Sequence, residues 1–127
     1  MILDTVAVSA LFDGDQNLIG VLRHAFRHQL PVIMLGEYRY GLKRSAHRAR
    51  LEQMLAELER VSEILPVDAE TAVIYARIRE QLRLKGKPVP ENDLWIAALA
   101  VQHQQPIASL DAHFDFVGGI ERIGWRS

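Results

Sequence analysis

The sequence contains no cysteine among its 127 residues, and this absence removes several kinds of chemistry at once. Disulfide bonds, thiol catalysis and cysteine-ligated zinc sites are all excluded. An excess of one charge is also missing, because 15 basic and 16 acidic residues leave a formal net charge of −1. A contact with a polyanion would therefore need a local basic patch rather than the field of the whole chain.

Long hydrophobic runs are absent as well. The longest stretch without a charged residue, 94–110, contains a histidine, three glutamines and a proline, so we do not expect it to cross a membrane. The first residues lack an early basic segment and include Asp4, which is untypical of a signal peptide. With 49% apolar and 24% charged residues, the composition is that of a globular protein. We expect one domain, 1–127, in the cytoplasm.

Short apolar segments predict β-strands, and the amphipathic stretches between them predict helices. The run at 30–35 is continuous and partly β-branched, so we expect a buried strand there and a helix from about Gly36. Short strands alternating with helices are typical of a three-layer α/β/α fold with a mostly parallel sheet. The predicted strands are 1–3, 30–35, 63–67, 106–110 and 121–125, and the predicted helices are 5–13, 17–28, 36 onwards, 51–61, 69–85 and 92–103.

Two of these segments carry detailed predictions. The clearest helical face has apolar residues at a period of 3.6, namely Leu51, Met54, Leu55, Leu58 and Val61. The segment 63–67 contains Pro66, which has no backbone N–H to donate to a neighbouring strand. The segment should therefore lie at an edge of the sheet.

Four acids fall where predicted strands end or the next helices begin: Asp4, Glu37, Asp93 and Asp111. Each alone fits a helix cap or first-turn acid, worth ~0.3–1 kcal/mol. Together they would lie at the edge where parallel strands end, which is where α/β folds bind ligands. Crowded, partly buried carboxylates repel one another, and a divalent cation relieves that repulsion. Oxygen ligands suit Mg²⁺ or Mn²⁺.

Four sequence blocks resemble the signature blocks of PIN-domain ribonucleases. They are "LDT" at 3–5, "GEYRYGL" at 36–42, "NDLWIAALA" at 92–100 and "SLDAHFD" at 109–115. The short single domain resembles the toxins of VapBC-type toxin–antitoxin pairs. The resemblance implies RNA cleavage with Mg²⁺ or Mn²⁺, an antitoxin partner and a homodimer.

The same resemblance assigns roles to individual residues. It makes Asp4, Glu37, Asp93 and Asp111 the catalytic and metal-binding tetrad. Asp4 and Asp93 would be the principal ligands, Asp111 would help directly or through water, and Glu37 would position a second ion or a water. Thr5 and Ser109 match the small hydroxyl residues that accompany the acids in the family.

Basic residues near these acids are candidates for contacts with RNA. The basic run, 38–50, carries five cations and no acid, and it fits either a solvated helical face or a groove for an RNA backbone. A second set, Arg83, Lys85 and Lys87, would form the opposite lip. For Tyr38 and Tyr40 we favour packing over base stacking. The cations of the basic run are Arg39, Lys43, Arg44, Arg48 and Arg50.

Other polar residues are assigned ordinary roles. His113 is expected to be a lone exposed histidine, and Asp115 a surface acid. Two alternative functions are also considered. A phosphoacceptor receiver domain would need paired acids and a late lysine, yet no lysine follows Lys87. A catalytically silent PIN-like binding module is disfavoured because all four acids are present.

Overall fold

The computed structural model describes residues 1–126, and in it short strands and helices follow one another along the chain. The alternation confirms the predicted α/β class. The strands are β1 (Ile2–Leu3), β2 (Gln29–Pro31), β3 (Glu63–Leu65), β4 (Ile107–Ala108) and β5 (Arg122–Ile123). The helices are α1 (Thr5–Phe12), α2 (Gln16–Leu22), α3 (Val32–Leu42), α4 (Arg48–Arg60), α5 (Ala69–Lys85) and α6 (Glu91–His103), with a short 3₁₀ helix at Ala112–Phe116.

The five strands form one sheet in the order β3-β2-β1-β4-β5, and each neighbouring pair is parallel. β3 lies at an edge, as Pro66 predicts. The chain adds β2 and β3 on one side of β1, then returns across the sheet to β4. Because such crossovers are right-handed, the reversal places helices on both faces, giving the three predicted layers. All strands end at the same edge, which we call the carboxyl edge.

The prediction of a strand over 30–35 is wrong beyond Pro31. Val32 begins α3, with Pro31 as the extended residue before it. A proline has no N–H for the sheet ladder, and its fixed φ suits the start of a helix, so it ends the strand and begins α3. Met34 and Leu35 are buried as predicted, but on a helix. Glu37 therefore lies in the second turn of α3 rather than directly after a strand.

Other departures concern helix ends and faces. α2 ends at Leu22 instead of 28, and Phe26 is exposed. On α4, Leu55 and Leu58 are buried, but Val61 lies past the helix end and is exposed. By contrast, the predicted start of α5 is correct, because Asp68 caps it and is itself contacted by Thr71. The capping residue of α5 therefore predicts a helix end more accurately than the periodic apolar residues of α4 do.

α6 provides much of the core between the sheet and α5. Its residues 96–100 are all buried, and the helix begins at the carboxyl edge with Glu91, Asn92 and Asp93. Trp95 stacks on Tyr75 of α5 with ring centroids 3.9 Å apart. No helix within the described residues has the length and hydropathy to cross a bilayer.

Candidate functional site

Asp4 lies at the centre of the carboxyl edge, directly after β1. Its side chain is fixed because Oδ1 accepts a hydrogen bond from the Ala7 N–H at 2.8 Å, which caps α1. Only 6% of the residue is exposed. The Asp4 carboxylate is also hydrogen-bonded by Ser109, which is fully buried just after β4. The predicted capping role is therefore confirmed, and Ala7 and Ser109 together hold the carboxylate in place.

Ser109 connects two of the acids. Besides its bond to Asp4, its hydroxyl oxygen accepts a hydrogen bond from the Asp111 N–H at 3.0 Å. Asp111 lies three residues after the end of β4 and directly before the 3₁₀ helix, and 54% of its side chain is exposed. The serine thus sets the position of Asp111 relative to Asp4 through one buried hydroxyl group.

Asp93, from the first turn of α6, faces Asp111 across an imidazole ring. His113 Nε2 lies 2.8 Å from Asp93 Oδ2, and His113 Nδ1 lies 2.8 Å from Asp111 Oδ1. Only 17% of the His113 side chain is exposed, so the prediction of a lone exposed histidine is wrong. The Nε2 contact with Asp93 is a hydrogen bond, and the Nδ1 contact with Asp111 is within ion-pair distance, so the ring is held between the two carboxylates.

Glu37 reaches the site from α3, at its exposed rim. Its carboxylate accepts a hydrogen bond from the side-chain amide of Asn92, the residue before Asp93. Asn92 therefore joins α3 to the start of α6. Thr5, the first residue of α1, lines a groove together with Glu37. Asn92 has no predicted role, and its position beside Asp93 is the signal that could have indicated one.

The electrostatics of these acids reflect burial and crowding. Burial raises the pKa of Asp4, and the charges of Asp93 and Asp111 raise it further. Burial also raises the pKa of Glu37, with Asp93 and Asp4 adding to the effect. Burial raises the pKa of Asp93, although His113 partly offsets this. Asp4, Glu37, Asp93 and Asp111 are linked by these effects, and we call them the acidic cluster.

The donor atoms of this region fit a divalent cation. One ligand atom each from Asp93, Asp111 and His113 lies within 4.8 Å of the others, within reach of a single ion. The Asp4 carboxylate follows β1, and a cation would offset the burial and the acidic neighbours that together raise its pKa. The residues present are therefore consistent with a divalent metal ion of the kind that oxygen ligands bind.

Two grooves flank the acidic cluster. One, of about 390 Å³, is lined by Thr5, Ser9, Glu37, Tyr38, Gly41, Leu42 and Leu51, and leads from the cluster to the turn between α3 and α4. The other, of about 520 Å³, is lined by residues of α5, the 86–90 loop and α6. The larger groove contains no member of the acidic cluster, so size alone does not identify the site.

Most of the predicted RNA-binding cations have partners in the structure. Arg39 pairs with Glu59, and Arg48 pairs with Glu52 at 2.8 Å. Arg44 lies over the Tyr40 ring, with its guanidinium carbon 5.4 Å from the centroid. Within residues 1–126, neither Lys43 nor Arg44 forms an ion pair with an acid. The basic run is thus partly neutralised on α4 and still positive at the end of α3.

The second basic set lies against the 3₁₀ helix. Lys85 Nζ donates to the Phe116 carbonyl at 3.3 Å, and Lys87 Nζ lies 5.1 Å from the centroid of the Phe116 ring. Arg83 pairs with Glu80 on its own helix. Asp115 is a surface acid as predicted, paired with Arg122 at 2.9 Å. Tyr38 packs edge-on against Phe12, whereas Tyr40 is exposed, so the packing prediction fails for Tyr40.

Comparisons with known proteins identify similar chains. The PIN domain family matches residues 1–120, a range that includes the whole acidic cluster. Ribonuclease VapC5 of Mycobacterium tuberculosis is 40% identical over 94 residues, covering 72% of this chain and 70% of that protein. Toxin FitB of Neisseria gonorrhoeae is 34% identical over 98 residues, covering 72% and 70%.

Among solved structures, one similar chain comes from VapBC-5 of Mycobacterium tuberculosis, a member of the VapBC family of toxin–antitoxin systems. It is 30% identical, the match covers 99% of this chain and 97% of that chain, and the TM-score is 0.66. The likeness therefore extends over nearly the whole chain.

Proposed function

Since this chain belongs to the PIN-domain family, we propose that it is a metal-dependent endoribonuclease and the toxin of a toxin–antitoxin pair. The observation that carries the proposal is the meeting of Asp4, Glu37, Asp93 and Asp111 at one edge of the sheet, where acidic neighbours help to raise the pKa of Asp4, Glu37 and Asp93. This arrangement occurs in a chain similar to proteins named ribonucleases. The cytoplasm stays the predicted compartment.

We assign Asp4, Asp93 and Asp111 as the ligands of a divalent ion, Mg²⁺ or Mn²⁺. When bound, such an ion would acidify water and neutralise charge that develops on the phosphoryl oxygens. The protein's own contribution is to hold the carboxylates in place. The Ala7 N–H fixes Asp4, and the buried Ser109 hydroxyl sets Asp111 against Asp4. Because these contacts exist before any substrate binds, the ligands need little reorganisation.

Glu37 is the acid best suited to accept a proton from the attacking water. It lies at the exposed rim, and burial together with its acidic neighbours raises its pKa, which makes the carboxylate a better proton acceptor. Asn92 donates to one carboxylate oxygen and orients the group. A second ion near Glu37 would be an alternative use of the same carboxylate.

The RNA strand would lie in the groove that leads from Thr5 and Glu37 to the turn between α3 and α4. Lys43 and Arg44 directly follow Leu42, which lines this groove, and neither forms an ion pair with an acid within the described residues. Phosphate contacts of this kind hold a strand without reading its sequence. Lys87 would supply charge on the other side of Asp93, next to the 3₁₀ helix.

A cognate antitoxin protein and a homodimer complete the proposal. Support comes from the similarity to Toxin FitB and to a member of the VapBC family of toxin–antitoxin systems. We expect the antitoxin to cover the acidic cluster and so block access of RNA to it.

The proposal is tested by cleavage of total bacterial RNA, with the new 5′ ends sequenced. We expect new ends with Mg²⁺ or Mn²⁺ and none with EDTA, and we expect Asp93→Asn to remove them. Asp13→Asn is the matched control, because Asp13 is an exposed acid at the end of α1. If no metal-dependent ends appear with wild-type protein, the silent binding module becomes the correct interpretation.

A further inference from the structure

His113 occupies the space between two carboxylates of the acidic cluster. Each of its ring nitrogens lies 2.8 Å from one carboxylate oxygen, of Asp93 on one side and Asp111 on the other. Resting on the proposed metal-dependent function, we infer that His113 is itself a ligand of the divalent ion. The site would then hold the ion with one imidazole nitrogen in addition to carboxylate oxygens.

The spacing of the donor atoms supports this assignment. Ligands of one octahedral ion with bonds of ~2.0–2.1 Å lie about 3 Å apart when adjacent and about 4 Å apart when opposite. The His113 nitrogens are 2.8 Å from their carboxylate partners, and one donor atom from each of the three residues lies within 4.8 Å of the others. One ion can therefore be reached by all three residues after small side-chain movements.

The backbone near His113 is anchored, so the ring cannot move far from the acids. Phe114, the next residue, is fully buried in the core, and its ring centroid is 5.0 Å from that of His113. Lys85 holds the end of the 3₁₀ helix through the Phe116 carbonyl. An ion that takes the oxygens of Asp93 and Asp111 would replace the present contacts of the ring with those oxygens. The neutral imidazole ring carries one nitrogen lone pair, which can then bind the ion.

A nitrogen ligand changes which metals the site prefers. Imidazole nitrogen binds transition metals well, whereas Mg²⁺ prefers the oxygen atoms of carboxylates and water. The wild-type site should therefore favour Mn²⁺ over Mg²⁺ more strongly than an all-carboxylate site does. Replacing the ring with a carboxylate, in His113→Asp, should shift the ratio of the two affinities toward Mg²⁺.

The decisive measurement is pulsed EPR of Mn²⁺ bound to the intact protein, which detects coupling to a directly bound ¹⁴N nucleus without any RNA. We expect this coupling in wild type, its loss in His113→Gln, and its retention in His47→Gln. His47 is the matched control because it is an exposed histidine before α4, outside the site. Isothermal titration with Mn²⁺ and Mg²⁺ gives the affinity ratio of the same proteins.

The outcomes separate this inference from the proposed function. Bound Mn²⁺ with no nitrogen coupling in wild type would overturn the role of His113 and leave metal-dependent cleavage intact. Coupling that persists in His113→Gln would overturn it equally. Failure of wild-type protein to bind either metal would instead overturn the proposed function. Because the wild-type spectrum is informative alone, the test does not depend on the folding of any variant.

Discussion

Two substitutions of Asp4 can separate its two roles, capping α1 and binding a metal. Asp4→Asn keeps a side-chain oxygen that can accept from the Ala7 N–H but removes the charge. Asp4→Ala removes both the cap and the charge. If Asp4 is a metal ligand, both variants should lose metal-dependent RNA cleavage, while only the alanine variant should lose the stability that the cap provides.

The magnitude follows from the hydrogen bonds of Asp4. Loss of a helix cap costs about 1 kcal/mol, within a range of roughly 0.5–2 kcal/mol. The alanine variant also leaves the buried Ser109 hydroxyl without this acceptor, which adds up to a further ~1 kcal/mol. For a protein of this size, ~1 kcal/mol corresponds to roughly 4 °C. The alanine variant should therefore melt about 4–8 °C below the asparagine variant.

The comparison of Asp4→Asn with wild type tests the crowding of charge. Burial and two neighbouring acids raise the pKa of Asp4, so its ionised form destabilises the metal-free fold at neutral pH. The asparagine variant should thus be at least as stable as wild type in EDTA. The assays are thermal unfolding at pH 7 in EDTA and RNA cleavage with Mg²⁺. If Asp4→Asn cleaved RNA as well as wild type does, the role of Asp4 as a metal ligand would be refuted, and Asp4 would serve only as a helix cap.

Two further predictions concern pH and RNA binding. The folded protein holds the Asp4 proton more tightly than the unfolded chain does, so metal-free wild type should lose stability relative to Asp4→Asn as pH rises from about 4 to about 7. Urea unfolding measures both proteins across this range, and the same pH dependence in the two proteins would contradict the prediction. Replacing Lys43 and Arg44 with Ala should weaken RNA binding and reduce the salt slope by about 0.7 for each phosphate that is no longer neutralised. Arg48→Ala should have the smaller effect, since Glu52 already neutralises Arg48, and an equal effect in a filter-binding titration would count against the groove.

Short-range information in the sequence predicted much of this fold. Asp68 caps α5 through a reciprocal contact with Thr71 three residues away, so nothing distant is needed to recognise it. The run at 30–35 was different, because a short apolar segment suits a buried strand and a buried helix equally. The outcome there depended on Pro31, whose missing N–H ends the ladder and allows α3 to begin.

The site shows the same division between local and distant information. Strand ends predicted where Asp4 and Asp111 would lie, because parallel strands must finish at one edge. The role of His113 could not be predicted, since its ring meets Asp93 across twenty positions of sequence, and the 3₁₀ helix that directs it was not recognised. A histidine two residues from a strand-end acid was the only available signal.

The central position of β1 affects which parts of the sheet can open by local unfolding. β1 and β4 are neighbours in the middle of the sheet, fully buried, while β3 and β5 form its margins. Local opening begins at margins, and the middle strands open only with the whole domain. Asp4 and Ser109 are attached to those middle strands, whereas Glu37 projects from α3 at the rim. Local opening at the margins of the sheet can therefore leave the spacing of Asp4 and Ser109 unchanged.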